Sequence, residues 1–206
     1  MRIVCISDTH THHRSLSVPD GDVLVHCGDS TKIGRDEEIS DVDDWFGDLP
    51  HKHKILIAGN HDFCFQTDPL WRTRIRHAHY LQDEALNIGG VRFYGSPWQP
   101  RFFNWAFNLD RGAPLRRIWD RVPDNTDVLL THGPPFGILD LTDRGEPVGD
   151  EELRELVLRL PQLKLHVFGH IHESYGQISN GYTTFVNACS CNLRYRPVNP
   201  PIVIDL

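Results

Sequence analysis

Five short apolar runs, at residues 2–7, 23–27, 55–58, 128–130 and 165–168, stop abruptly on side chains able to hold a cation. The first gives way to Asp8-Thr9-His10, the second to Gly28-Asp29 and the third to Gly59-Asn60-His61-Asp62. The fourth runs into Thr131-His132, and the fifth into Gly169-His170-Ile171-His172. Runs this short, rich in Val, Ile and Leu, read as strands buried on both faces. Between them the apolar residues recur at helical spacing. Ile39, Val42, Trp45, Phe46 and Leu49 predict a helix over 36–49 with an acidic first turn, stopped at Pro50. Leu115, Ile118, Trp119 and Val122 predict another over 114–122, and 150–160 reads as a third, capped by Asp150 and stopped by Pro161. A shorter helix is expected at 69–76, with strands at 91–94, 183–186 and 202–204; the aromatic, Asn- and Arg-rich stretch 98–112 reads as an ordered loop. This alternation belongs to the α/β class, in which ligands collect beyond the carboxyl ends of the strands.

With 206 residues, 39% of them hydrophobic, the chain can bury one sizeable core, and a single domain over 1–206 is expected. A net charge of -7 argues against a basic face for long nucleic acid. A phosphate substrate stays compatible with it, because bound divalent cations supply positive charge locally. No apolar run reaches membrane-spanning length, and the run at 1–7 is too short for a secretory leader, so a cytoplasmic protein with no membrane partner is expected. Five cysteines, an odd number with no C-x-x-C pair, read as reduced thiols.

Thirteen histidines are many for this length, and they give the compositional hint of metal chemistry. The strand-end set of Asp, Asn and His contains no thiolate and suits two hard-to-borderline cations, Mn²⁺ or Fe being favoured and Zn²⁺ or Mg²⁺ the alternatives. In an extended segment residues two apart point to one side, so His170 and His172 can face one ion or two neighbouring ions. Taken singly, Asp8 and Asp29 fit turns, Asn60 fits a left-handed turn beside Gly59, and His132 fits a buried hydrogen-bonded imidazole. Turn chemistry does not account for all of them together. Of the other histidines, His26 reads as a core residue, His51 and His53 as solvated, and His12 and His13 as exposed loop residues with lining of the pocket as the alternative; Cys27 and Cys64 read as packing thiols. Trp98, Phe102, Phe103, Trp105 and Phe107 with Arg101 and Arg111 are candidates for a substrate wall where a base stacks and a guanidinium meets phosphate, although aromatic loops more often fold onto the core or onto a second copy in a homodimer.

The ordered pattern Asp8-x-His10, Gly28-Asp29, Gly59-Asn60-His61-Asp62, Thr131-His132 and Gly169-His170-x-His172 resembles the full signature of the calcineurin-like metallophosphoesterase superfamily. The stretches 95–100, 105–112, 131–135 and 199–206 resemble its metallophosphoesterase-domain-containing branch, known from vertebrate brain, whose members are phosphodiesterases. The resemblance implies a four-layer αββα sandwich, in which two mixed β-sheets are flanked by helices and a binuclear metal site lies at the strand ends. It assigns Asp8, His10, Asp29 and His172 to one metal, and Asp29, Asn60, His132 and His170 to the other. It implies hydrolysis of small phosphodiesters, nucleotide-type and including cyclic nucleotides, by in-line attack of a hydroxide held between the metals. His61 is expected to stabilise the transition state or protonate the leaving group, with Asp62 orienting it. A phosphomonoesterase would share every ligand. An interaction scaffold of the same fold is the remaining alternative, against which intact Asn60, His61 and His172 weigh.

Overall fold

The structure, a computed structural model, describes residues 1–206, the side chain of Pro69 excepted. One sheet contains β1 (Arg2–Ile6), β2 (Val23–Cys27), β3 (His53–Ile57), β4 (His79–Tyr80) and β13 (Ile202–Asp205), in the order β13-β1-β2-β3-β4. The second contains β5 (Glu84–Ile88), β6 (Val91–Ser96), β9 (Val128–Thr131), β10 (Leu165–Phe168), β11 (Gly176–Ser179) and β12 (Thr184–Asn187), in the order β11-β12-β10-β9-β6-β5. Both are mixed. The first has parallel strands with β13 antiparallel at its edge, and the second is parallel at its centre with β5 and β11 antiparallel at its edges. A two-stranded ribbon, β7 (Gln99–Pro100) and β8 (Asn108–Leu109), stands apart.

The period-2 alternation of strand side chains decides the layering. Ile3 and Cys5 of β1 join Val25 of β2 and Ile55 of β3 in the core between the sheets, where they meet Val128 and Leu130 of β9 and Val167 of β10. Val4, Ile6, Leu24 and Leu56 point the other way, onto Val42 and Phe46 of α1 (Asp36–Asp48) and Cys64 and Phe65 of α2 (Phe63–Thr67). Leu129 and Phe168 face Leu115 and Trp119 of α3 (Ala113–Trp119) and Leu153 and Leu156 of α4 (Glu151–Arg159). The result is the expected order of helix, sheet, sheet and helix. Each fully buried aliphatic side chain contributes about 1.5–3 kcal/mol. Asp150 caps α4 by accepting from the Glu152 amide at 3.0 Å, and it also accepts from the Trp119 indole at 2.5 Å, which ties α3 to α4. At one end of the β1–β13 pair, the Met1 ammonium donates to the Leu206 carbonyl at 2.6 Å, and the Leu206 amide returns a bond to the Met1 carbonyl.

The structure departs from the sequence reading where strands are polar or short. β6 runs on to Ser96, β4, β5 and β11 are additional strands, and the 98–112 loop contains the β7–β8 ribbon. The helix expected at 69–76 is a 3-10 helix, Pro69–Arg74. His13 and His51 are buried rather than exposed. The His13 ring packs on Trp45 and lies 3.0 Å from Asp41, and His51 hydrogen-bonds the Pro19 carbonyl. All five cysteines are buried and free. Among the described residues, no helix is long and apolar enough to cross a membrane.

His26, as expected, is a core histidine, and His166 of β10 is its counterpart in the second sheet. His26 Nε2 is 3.0 Å from the Thr9 hydroxyl, and His166 Nε2 is 2.9 Å from the Thr131 hydroxyl. Each therefore pins a threonine beside a strand-end Asp or His. Burial pushes both imidazoles down to about 3. In the unfolded chain the same rings take a proton near 6.5. The unfolded state thus binds more protons between these values, and stability falls as pH drops below about 6.5, by roughly 1.4 kcal/mol per pH unit for each ring. His166→Gln, which keeps a donor toward Thr131 but does not titrate, is expected to flatten the pH dependence of the urea midpoint between pH 6 and 4; an unchanged slope would refute this account.

Candidate metal centre

The carboxyl ends of β1, β2 and β3 in one sheet, and of β9 and β10 in the other, converge at one edge of the sandwich. Backbone bonds join the turns in pairs, with Asp8 N donating to Gly28 O, His10 N to Asp29 O and Gly169 N to His132 O, and the turn after β3 is joined to that after β2 by the His61 amide, which donates to Asp29 Oδ1 at 2.8 Å. Turning so tightly forces Asp8, His10, Asp29 and His170 into the left-handed region, with φ between 43° and 68°. Such conformations cost of order 1–3 kcal/mol each and persist only where the surroundings hold them. Two glycines provide the necessary space. A Cβ on Gly59 would overlap the Asp29 carboxylate and lie 2.6 Å from His132 Cε1, and one on Gly169 would overlap the Asp8 carboxylate.

The seven residues expected to ligate come together. Asp29 lies at the centre, with Oδ1 3.4 Å from His132 Nε2 and Oδ2 3.8 Å from His10 Nε2. On one side, Asp8 Oδ1 is 3.3 Å from His172 Nε2, which is 3.4 Å from His10 Nε2. On the other, His132 Nε2 is 2.9 Å from Asn60 Oδ1, and the His170 ring lies 5.0 Å from that of His132. Asp8, Asp29 and His132 form one compact candidate ligand cluster, and two further clusters bring in His61 beside His10 and Asp29, and Cys189 beside Asp8 and His172. The Cys189 thiol, raised well above its ordinary value by burial and by the charge of Asp8, stays protonated and donates to Asp8 Oδ2 at 3.2 Å.

The hydrogen-bond pattern fits a cation. His132 Nδ1 donates to the Cys27 carbonyl at 2.9 Å, which leaves the Nε2 lone pair facing oxygens of Asn60 and Asp29. His172 Nδ1 likewise donates to the Asn192 carbonyl at 3.0 Å, so its Nε2 faces Asp8 Oδ1, a buried oxygen with no hydrogen-bond partner. Acceptor facing acceptor is stable only with positive charge between them. Without a metal a proton takes that place: burial pushes His132 and His172 down, but the charges and hydrogen bonds of Asp29 and Asp8 outweigh it and hold both imidazoles up at about 9. Burial likewise disfavours ionisation of Asp8 and Asp29, yet the surrounding imidazoles keep both well below the usual carboxylate range. His10 and His170, lowered by burial to about 4 and about 3, are neutral with free lone pairs. Two carboxylates, a carboxamide oxygen and four imidazoles make a donor set for borderline divalent cations.

His61 stands beside this cluster, its ring 4.6 Å from His10 and stacked on Trp105 at 4.1 Å. Its Nδ1 donates to the Lys32 carbonyl at 2.7 Å, which turns Nε2 toward Asp29 Oδ2 at 3.9 Å. The backbone of Lys32 therefore orients the ring, in the place expected of Asp62. The Asp62 carboxylate instead accepts from the amides of Gly59, Ser30 and Thr31 and from the Ser30 and Thr31 hydroxyls, binding the β2 turn to the β3 turn.

A cleft of about 360 Å³ opens over the cluster. Arg101 and Arg111 line it, whereas Trp98 does not, because its indole donates to Asp83 and packs against Phe107. Arg111 is committed to the carbonyls of Val148 and Gly149 and to Glu151; Arg101 uses only its Nε, on Asp110. Leu193 and Tyr195, which the sequence does not single out, form part of the wall. The signal available for them, a polar turn between Cys191 and Pro197, carries no chemistry of its own.

Residues 1–174 match the family model for calcineurin-like phosphoesterases, and the chain belongs to that family. It is 43% identical over 230 residues to human metallophosphoesterase domain-containing protein 1, covering 100% of this chain and 71% of that protein. A Nostoc protein named as a 3′,5′-cyclic-nucleotide phosphodiesterase is 24% identical, over 76% of this chain and 58% of its own length. Among solved structures, the TT1561 protein of Thermus thermophilus shares the fold with a TM-score of 0.63 at 12% identity, over 90% of this chain and 88% of that one. The chain is accordingly a metal-dependent phosphoric ester hydrolase. Removing Asp62 would orphan several buried donors, so Asp62→Ala is expected to lower the unfolding free energy by about 3 kcal/mol. Urea denaturation measures it, and a loss below about 0.5 kcal/mol would show that Asp62 does not hold the turns together.

Proposed function

We propose that the protein, acting as one catalytic unit over residues 1–206, hydrolyses small phosphodiesters of the nucleotide type, cyclic nucleotides included. The observation that carries this reading is the convergence of six further oxygen and imidazole donors on the Asp29 carboxylate, at the floor of a cleft whose wall carries a guanidinium, that of Arg101, with both Nη atoms free. Asp8, His10, Asp29 and His172 would hold one divalent cation and Asp29, Asn60, His132 and His170 the other, with Mn²⁺ the best match to the donor set. When bound, such a pair neutralises the ester oxygens and acidifies water at neutral pH.

The residues of the chain do the rest. Asp29 fixes the spacing of the two halves, and the glycines at 59 and 169 let the backbone approach its ligating side chains. His61, held by Lys32 and Trp105 with Nε2 facing the cluster, is placed, when its ring carries both protons, to donate the one on Nε2 to an oxygen leaving phosphorus. Arg101 Nη1 and Nη2 are free to meet a second phosphate oxygen, while Arg111 serves as a strut between the 98–112 loop and the start of α4. The anionic chain, at -7, leaves no broad basic track for long nucleic acid. Five free thiols suit the reducing setting of the cytoplasm. The Nostoc relative's name supports the nucleotide reading.

Protein stripped of metal and reloaded with Mn²⁺ is expected to hydrolyse bis-4-nitrophenyl phosphate and at least one 2′,3′- or 3′,5′-cyclic nucleotide, faster than 4-nitrophenyl phosphate. Turnover of none of these esters would overturn the reading, and a monoester rate above the diester rates would make the enzyme a phosphomonoesterase. Asp29→Ala and His132→Ala should both reduce activity to background while remaining folded. His170→Ala and His172→Ala should each retain one ion, at different positions by anomalous scattering; loss of the same ion from both would refute the division of ligands.

A further inference from the structure

Part of the cleft wall is the turn at 192–196, and its bond to His172 does not by itself account for the residues at its tip. Asn192 organises it. Its carboxamide oxygen accepts from the amides of Arg194 and Arg196, its carbonyl accepts from the Tyr195 amide at 2.8 Å, and its own amide donates to the Arg196 carbonyl. The same Asn192 carbonyl takes the hydrogen bond from His172 Nδ1, so the turn is fastened to an imidazole of the centre. This arrangement holds Tyr195 at φ 54°, in the left-handed region that a bulky residue rarely adopts. Strain of this kind, sustained by local bonds, needs a reason.

The placement of the ring gives one. Tyr195 stands edge-on to His10 at 4.6 Å, and 5.7 Å from His172. It is nevertheless 46% exposed, and its neighbour Leu193 is 54% exposed, so neither is buried as core. Both line the cleft. Phe102, which also lines the cleft, stands edge-on to His170 at 5.8 Å and is likewise half exposed. The cluster thus has one exposed aromatic side chain beside His10 and another beside His170. A diester, with an organic group on two of the phosphorus oxygens, offers a partner to each, which orthophosphate or a monoester of a small alcohol does not.

We propose that Leu193 and Tyr195 form a binding subsite for a planar organic group, a nucleobase or an aryl ring, carried on the ester oxygen of a phosphodiester. The inference rests on the reading of this site as a phosphodiesterase and adds the residues that select the second substituent. Tyr195 contacts substrate through its ring face, and Asn192 is a positioning residue that presents the ring.

The test compares two diesters with the same leaving group, methyl 4-nitrophenyl phosphate and thymidine 5′-(4-nitrophenyl phosphate), on Mn²⁺-reloaded protein. Tyr195→Asn removes the ring while keeping a residue that tolerates the left-handed region. It is expected to raise KM for the thymidine ester about tenfold, the low end of what one base–aromatic stack contributes, and to leave the methyl ester within about twofold. Tyr195→Phe should restore the thymidine ester, and Leu193→Ala should raise its KM about threefold. Metal analysis should show two ions in every variant. Equal loss on both diesters, or no change on either, would overturn the subsite. A binding arm keeps the two readings apart: isothermal titration of thymidine 5′-monophosphate and of methyl phosphate should show a preference for the nucleotide that Tyr195→Asn abolishes. Wild-type protein that turns over neither diester but shows this preference would refute the phosphodiesterase reading and support the subsite; absence of the preference would refute the subsite.

Discussion

Two buried carboxylates, Asp8 and Asp29, face imidazole nitrogens whose opposite ring nitrogens are tied to backbone carbonyls. Those ties leave lone pairs pointing inward, so the centre carries negative charge that the sheets cannot neutralise. Positive charge must come either from protons on His132 and His172 or from cations. The surrounding architecture maintains this imbalance. Asp8 Oδ2 is saturated by Ser7, His170 and Cys189, which leaves Oδ1 as the oxygen offered to the centre. The left-handed residues and the glycines without room for a Cβ follow from bringing so many acceptors to one place.

The sandwich makes such convergence possible in conformational terms. Strands of both sheets run parallel at their centres, so their carboxyl ends lie at one edge, and the core between them fixes the separation of the two groups of ligands. His26 and His166 extend this into the helix-facing layers, each holding the hydroxyl of a threonine adjacent to a site residue. Asp62 performs the same service between the turns after β2 and β3.

Much of this could be read from the chain because the chemistry is local. The Asp, Asn and His at the five strand ends follow their apolar runs directly, and the Asp150 cap sits at its helix start. Edge strand β5 was hidden because Glu84 and Asn87 dilute its apolar pattern at a half-solvated sheet edge. His13 and His51 misled because a histidine in a polar segment is buried or exposed according to what packs over it, here Trp45 and the Pro19 carbonyl. The role of Asp62 and the reach of Tyr195 depend on contacts between turns distant in sequence. Trp98 has the right chemistry for a base-stacking wall, but Asp83 draws its indole elsewhere.

The reciprocal bonds between Met1 and Leu206 place the two chain ends side by side at the start of β1, while the ligands lie past its finish. Five residues of strand, roughly 17 Å, separate that pole from the cleft. A polypeptide fused to either end would therefore leave the molecule from one spot on the side away from the chemistry.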